Sequence, residues 1–210
     1  MKVISANLAK PTKIMWNGEE QYTGIYKYPV DTAIHLKLEA VAHDTIADRR
    51  VHGGIFKACY LFASEHYPYW KEKYPNLDWN WGMFGENLTI TGLDESQIRI
   101  GNIYKLGDAL VQITQPREPC YKLGIRFGDQ KILREFIDHG FPGTYVKVLK
   151  EGEVSAGDSM ELVEESENPL TIQRFYRLLF DKKKDPEVLK LAIKNESIPV
   201  GKREKLRKYQ

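Results

Sequence analysis

The chain is poor in cysteine: only Cys59 and Cys120 occur among 210 residues. Two thiols exclude a multi-disulfide framework. No Cys-x-x-Cys spacing occurs, so neither a zinc ribbon nor an iron–sulfur cluster held by this chain alone is expected. No apolar run approaches the roughly 18 residues of a membrane helix. The opening Met1-Lys2-Val3-Ile4-Ser5-Ala6-Asn7 is too short an apolar stretch for a signal peptide. A cytoplasmic location, with both thiols reduced and no membrane partner, is the expectation. A Gly-x-Ser-x-Gly elbow and a Walker loop are both missing, as are internal repeats and low-complexity tracts. The net charge is only +2, so overall charge selects no class of partner. His35, His43, His66 and His139 fall at no metal-ligating spacing and read as surface or satisfied side chains.

Hydrophobic residues at 42% and charged residues at 29% are ordinary for a globular protein, and the length suits one main domain with a small appendage. Charge is unevenly placed. Residues 182–210 carry ten Lys and Arg against four Asp and Glu, or +6, which leaves −4 for the rest. Short strands punctuated by glycine dominate the first part: 3–6, 24–30, 34–41, 58–62 and 87–91. Residues 103–106 and 109–114 read as a pair, and 145–149 with 159–163 as another, joined through Glu151-Gly152-Glu153. Ser64 is placed to cap a helix over 64–74 that Pro75 stops, and a second helix over 129–139 ends at Gly140. Many short strands with glycine turns predict a mainly β fold with some helix, as a barrel or a folded-over sandwich.

The polar stretch Glu164-Glu165-Ser166-Glu167-Asn168-Pro169 reads as a linker, dividing a domain over 1–165 from a helical extension over 168–210. In that extension Ile172, Phe175, Leu178 and Leu179 share one face, and Asp185-Pro186 opens a second helix with Val188, Leu189, Ala192 and Ile193 on its apolar side. A third helix is predicted over 199–208. The lysines alternate with these apolar stripes, so the basic tail reads as a solvated face, and no nucleic-acid partner is expected. Trp70, Tyr74, Trp79 and Trp81 read as core or pocket wall, since few basic residues interleave with them.

Three segments could carry chemistry. In Gln115-Pro116-Arg117-Glu118-Pro119-Cys120, each proline fixes φ and extends the residue before it. Arg117 and Cys120 are thus presented on a short stiff rod. Arg117 brings a fork of donors suited to phosphate or carboxylate. Cationic surroundings favour a thiolate, the form that attacks or binds metal. The alternative is a small apolar side chain packed after a turn. In Asp48-Arg49-Arg50-Val51-His52-Gly53-Gly54-Ile55-Phe56-Lys57, the glycines allow close backbone approach while Arg49, Arg50, His52 and Lys57 supply donors for an anion. A glycine turn with solvated charges is the competing reading. In Gly82-Met83-Phe84-Gly85-Glu86-Asn87-Leu88-Thr89, a carboxylate and an amide could read the edge of a heterocycle. Alternatively, Phe84 simply packs the loop.

Together these segments resemble the MOSC domain, named from the C-terminal region of molybdenum cofactor sulfurases, in its bacterial YiiM-like branch. The matching residues are Asp48, Arg49, His52, Gly53, Gly54, Lys57 and Tyr60, then 82 and 84–89, then Gln115, Pro116, Arg117, Pro119, Cys120, Lys122 and Leu123, continuing into Arg126-Phe127-Gly128. Ile55-Phe56 departs from the more polar pair usual after the two glycines. The resemblance implies a MOSC-type β-barrel with peripheral helices and a small three-helix C-terminal extension. It also implies a molybdenum–pyranopterin cofactor, with Cys120 as the catalytic thiolate and metal ligand. Arg49, His52, Gly53, Gly54, Lys57, Phe84, Glu86, Asn87, Arg117 and Arg126 would hold the cofactor. The implied activity is reduction of N-hydroxylated compounds such as 6-hydroxylaminopurine, fed by a separate electron-donating reductase and independent of pyridoxal phosphate. A second copy of the chain is a candidate partner. A persulfide sulfur carrier on Cys120, or a noncatalytic anion- or cofactor-binding module, is the alternative.

Overall fold

A computed structural model describes residues 1–45 and 53–210. Its described strands are β1 (Lys2–Ala9), β2 (Thr12–Trp16), β3 (Glu19–Thr23), β4 (Lys27–Val30), β5 (Ile34–Leu36) and β6 (Cys59–Ala63), followed by β7 (Leu88–Thr91), β8 (Ile103–Leu106), β9 (Ala109–Pro116), β10 (Thr144–Lys150), β11 (Gly152–Val154) and β12 (Met160–Glu164). The helices are α1 (Tyr67–Lys73), α2 (Tyr121–Phe127), α3 (Ile132–His139), α4 (Ile172–Phe180), α5 (Pro186–Lys194) and α6 (Val200–Arg207), with short 3₁₀ turns at Ile55–Lys57 and Ser64–His66.

Eight strands form one sheet in the order β12-β8-β9-β10-β6-β7-β1-β4, antiparallel except for β6 beside β7. The expected barrel is not a closed ring. β4 covers residues 6–9 of β1, so only the first residues of β1 can reach β12. There, a single bridge joins Lys2 to Ser159, and Met160 N donates to Met1 O at 3.0 Å. The sheet is folded over: residues 157–160 at its β12 end touch residues 1–3, with Val3 N donating to Asp158 O at 2.9 Å and Gly157 N to Val3 O at 2.8 Å, while β4 forms the other edge.

The predicted pairing of 103–106 with 109–114 is present as β8 with β9. The predicted pairing of 145–149 with 159–163 is not: β10 lies between β9 and β6, and β12 pairs with β8. Gly152 explains the diversion. A Cβ there would collide with the Asp108 backbone, and Asp108 N donates to Glu153 O at 3.0 Å. The chain therefore leaves β10 to form β11 against β5.

Besides β11, the β2–β3 hairpin and helix α2 were not anticipated. Asn17 (φ 51°) and Gly18 (φ 81°) make the two-residue left-handed turn that joins β2 to β3. Helix α2 starts immediately after Cys120 and stops at Gly128, which takes a left-handed φ of 70°. Ser64 caps no α-helix; it opens a 3₁₀ turn, and its hydroxyl donates to Glu65.

Strand β6 shows how the core is divided. All five of its residues are buried, and the period of two sends Cys59, Leu61 and Ala63 to one side, Tyr60 and Phe62 to the other. The first side is an aliphatic core continuous with Phe175, Leu178, Val188 and Ile193 of the C-terminal helices. The second is an aromatic cluster of Phe62, Tyr67, Trp70, Phe84, Phe127 and Phe136. Of the apolar face expected on α4, Ile172, Phe175 and Leu178 are buried while Leu179 is only partly so and Tyr176 is buried as well; the expected face of α5 is buried throughout, each fully buried large aliphatic or aromatic side chain contributing about 1.5–3 kcal/mol. Asp185 caps α5 as its position suggests, accepting from Glu187 N and Val188 N. Among the described residues, no helix is long and apolar enough to cross a membrane.

Candidate functional site

β9 ends at Pro116, opposite Thr144 of β10, and residues 117–120 then run without helix or strand. Cys120 is extended (φ −131°, ψ 166°) at the start of α2. Gln115, before Pro116, is extended within β9, and the chain is extended again at Cys120. Cys120 is half-buried, whereas Cys59 is 1% exposed in the aliphatic core. Burial pushes the Cys59 thiol up, so it stays neutral.

Cys120 lines a cleft together with Lys27, Asp44, Lys57, Tyr60, Asn87, Arg117, Lys122 and Tyr145. Gly24, Ile25, Thr45 and Gly85 complete much of the wall. Four cations face one carboxylate, so the hollow is basic. Arg117 is 5% exposed, donates from Nη1 to Phe84 O at 3.0 Å, and lies 5.1 Å over the Tyr60 ring. Among the described residues its guanidinium is held by stacking and a carbonyl rather than by a paired acid. Lys57 reaches 5.6 Å over the Tyr145 ring. Burial, followed by the charge of Lys202, lowers the Lys57 pKa. Tyr60 and Tyr145 are buried, which raises their phenol pKa values and keeps both as neutral walls.

One wall is an ion-pair network that local sequence patterns did not reveal. Lys27 pairs with Asp44, and both are nearly fully buried. Burial lowers the Lys27 pKa while Asp44 opposes the shift. Asp44 also accepts from Ala9 N and from Asn87 Nδ2, each at 2.9 Å. Asn87 in turn accepts from Tyr60 N at 3.3 Å. The network ties the second motif to β4 and β6. Seventeen residues separate Lys27 from Asp44, so only tertiary contact could reveal the pair.

The remaining predicted residues are placed differently. Phe84 and Glu86 are 0% exposed and do not line the cleft. Phe84 stacks on Phe62 with centroids 4.2 Å apart. The Glu86 carboxylate accepts from Tyr67 OH, Gly82 N (2.9 Å), Thr89 Oγ1 (2.9 Å) and Phe84 N (3.1 Å). Burial pushes its pKa up against these donors. This carboxylate organises the loop that delivers Gly85 and Asn87. Arg126 lies 4.7 Å from the Tyr26 ring and 5.1 Å from that of Tyr28, outside the Cys120 cleft. Gly53 and Gly54 line a neighbouring cleft that shares Lys57. Arg49 and His52 lie outside the described residues. Lys27, Asp44, Tyr145 and Lys122 are cleft residues that motif reading did not assign to the site; Lys122 stood inside the third motif and carried the available signal.

Among the described residues, no group of three or more His, Cys, Asp or Glu could hold a metal ion. One soft thiol beside several cations suits a metal that arrives with its own sulfur ligands and an anionic carrier.

The MOSC domain family model matches residues 48–161. The chain is 39% identical over 171 residues to YflK of Bacillus subtilis, covering 81% of this chain and 77% of that protein. It is 37% identical over 150 residues to a protein of Gibberella moniliformis named Reductase, covering 70% of this chain and 27% of the other. The crystal structure of YiiM from Geobacillus stearothermophilus superposes with a TM-score of 0.83 at 29% identity, covering 99% of this chain and 98% of that one. The family match and these likenesses show that the chain belongs to the MOSC family, in its YiiM-like branch.

Proposed function

We propose that the chain is a reductase of N-hydroxylated small molecules, such as 6-hydroxylaminopurine, using a molybdenum–pyranopterin cofactor at the Cys120 cleft. One observation carries this reading: the Cys120 side chain opens onto a basic hollow instead of packing into either core. The donor set fits such a group. Cys120 Sγ would bind the metal, and Lys57, Lys122 and Arg117 would face the anionic carrier. When bound, the cofactor supplies the two-electron redox chemistry. A family relative named Reductase supports this class of reaction.

The protein's own part is positioning and proton supply. Reducing R–NHOH to R–NH₂ consumes two electrons and two protons and releases water. Lys57 Nζ lines the cleft, is not tied up in the buried Lys27–Asp44 pair, and has its pKa lowered by burial, so it is placed to give up a proton. Buried and neutral, Tyr60 and Tyr145 support the Arg117 and Lys57 cations that lie over their rings. The Lys27–Asp44–Asn87 network fixes the adjoining wall through the bond from Tyr60 N to Asn87. Electrons would come from a separate reductase.

Protein made in a cofactor-competent host is expected to carry near-stoichiometric molybdenum. Cys120→Ala is expected to lose both the metal and N-reduction while keeping a native circular-dichroism spectrum. Full activity in that variant overturns the assignment. A one-sulfur mass increase on Cys120 without metal indicates a sulfur carrier, and neither metal nor sulfur indicates a binding module.

A further inference from the structure

The neighbouring cleft lies between the 3₁₀ turn Ile55–Lys57 and the C-terminal helices. Lys57, Lys184, Lys202, Lys205 and Lys208 line it against Glu118. Its volume, ≈ 780 Å³, falls within the roughly 300–1,000 Å³ typical of small-molecule sites. Some of its charge is already committed. Lys202 pairs with Glu118 at 2.6 Å, and Lys184 donates to the carbonyls of Leu178 and Asp181, each at 2.7 Å. Lys205 and Lys208 are exposed and have no ion-pair partner among the described residues. They stand three residues apart at the end of α6, as two neighbouring cationic arms.

Further observations narrow the ligand. Lys57 lines both clefts, and Glu118 lies two residues before Cys120, so one molecule can span from the lysines to the thiol. Gly54 sits on the rim with φ 91° and open space where a Cβ would project, leaving its backbone approachable. Apolar Leu206 and the Phe56 and Tyr209 rings line the same wall, which suits a sugar or ring more than a bare ion.

We infer that this cleft binds a phosphate monoester on the substrate, so that the N-hydroxylated base is taken as its nucleotide with the base toward Cys120. The inference rests on the reductase reading for its direction, but its binding step can be measured without that reading. The same phosphate chemistry could instead come from the pterin cofactor, and the test separates the two sources.

Cofactor-loaded protein is compared with Lys205→Gln/Lys208→Gln, using 6-hydroxylaminopurine and its ribonucleoside 5′-monophosphate as substrates. The wild type is expected to favour the nucleotide. In the variant the ratio of kcat/KM for nucleotide over base is expected to fall roughly tenfold or more, as charge-assisted contacts to phosphate are lost. Pterin and molybdenum contents are expected to stay unchanged. In parallel, calorimetric titration with adenosine 5′-monophosphate should show weaker binding in the variant and loss of affinity with added salt. Adenosine should bind both proteins alike. If neither substrate is reduced, the reductase reading fails, and the adenosine monophosphate titration alone decides whether the cleft is a phosphate site. An unchanged ratio with unchanged nucleotide affinity overturns the inference. Loss of pterin from the variant assigns the cleft to the cofactor's phosphate and also overturns it.

Discussion

Glu86→Gln is a one-atom change with a calculable cost. The Glu86 carboxylate is 0% exposed and receives three donors on Oε1 and one on Oε2. Glutamine keeps a single acceptor. With that oxygen at the Oε1 position, its amide nitrogen faces Phe84 N–H, so two donors meet. One buried donor is then orphaned, at about 1–3 kcal/mol. The other three hydrogen bonds lose their charge, which makes each roughly half as strong. Relief from burying an anion offsets part of the loss, since burial already pushes this carboxyl up. The expected net loss is about 3 kcal/mol, a large share of the roughly 5–15 kcal/mol that holds a typical domain. Urea unfolding followed by tryptophan fluorescence measures it, with the midpoint falling by about 1–2 M at a typical slope. A loss below about 0.5 kcal/mol, the range of surface substitutions, would refute the clamp argument.

Two other outcomes follow from the same geometry. Native protein should take up iodoacetamide at Cys120 alone, and Cys59 should react only after unfolding, because it is sealed in the aliphatic core and burial raises its pKa. Peptide mass spectrometry reads this directly, and labelling of Cys59 at the native-state rate of Cys120 would contradict the placement. His139 has its pKa lowered from 6.5 to about 4 by burial, then by His66 and Lys73. The unfolded chain binds the extra proton first, so stability is intact above pH ~6.5 and declines as pH falls toward ~4. The side chain is only half-buried, so solvent screening reduces the nominal loss to about 1–2 kcal/mol. His139→Gln should flatten this part of the stability–pH curve; an unchanged slope would place the titration elsewhere.

Features legible in the sequence were those decided by near neighbours along the chain. Gln115 is extended before Pro116, Asp185 does cap its helix, and Gly140 does end one in a left-handed conformation. The Asn17-Gly18 turn was equally local and equally readable, but the strands beside it carry few apolar residues. Placement of the second motif was less legible. Its glycines, glutamate and asparagine look alike as polar loop residues, yet Asn87 reaches the cleft while Glu86 is sealed beneath it. A carboxylate's role depends on which donors surround it, and Tyr67 lies nineteen residues away.

By itself the sequence determined the presence of short strands, the amphipathic tail helices and a rigid cysteine-bearing loop, because φ restriction, capping and periodicity act within a few residues. Tertiary structure alone decided which strands are neighbours, that the sheet stays open between β12 and β4, and that Lys27 and Asp44 line the same cleft as Cys120. Strand partners and buried ion pairs are chosen by the packing of distant segments, where the energy depends on what surrounds a residue as much as on the residue itself.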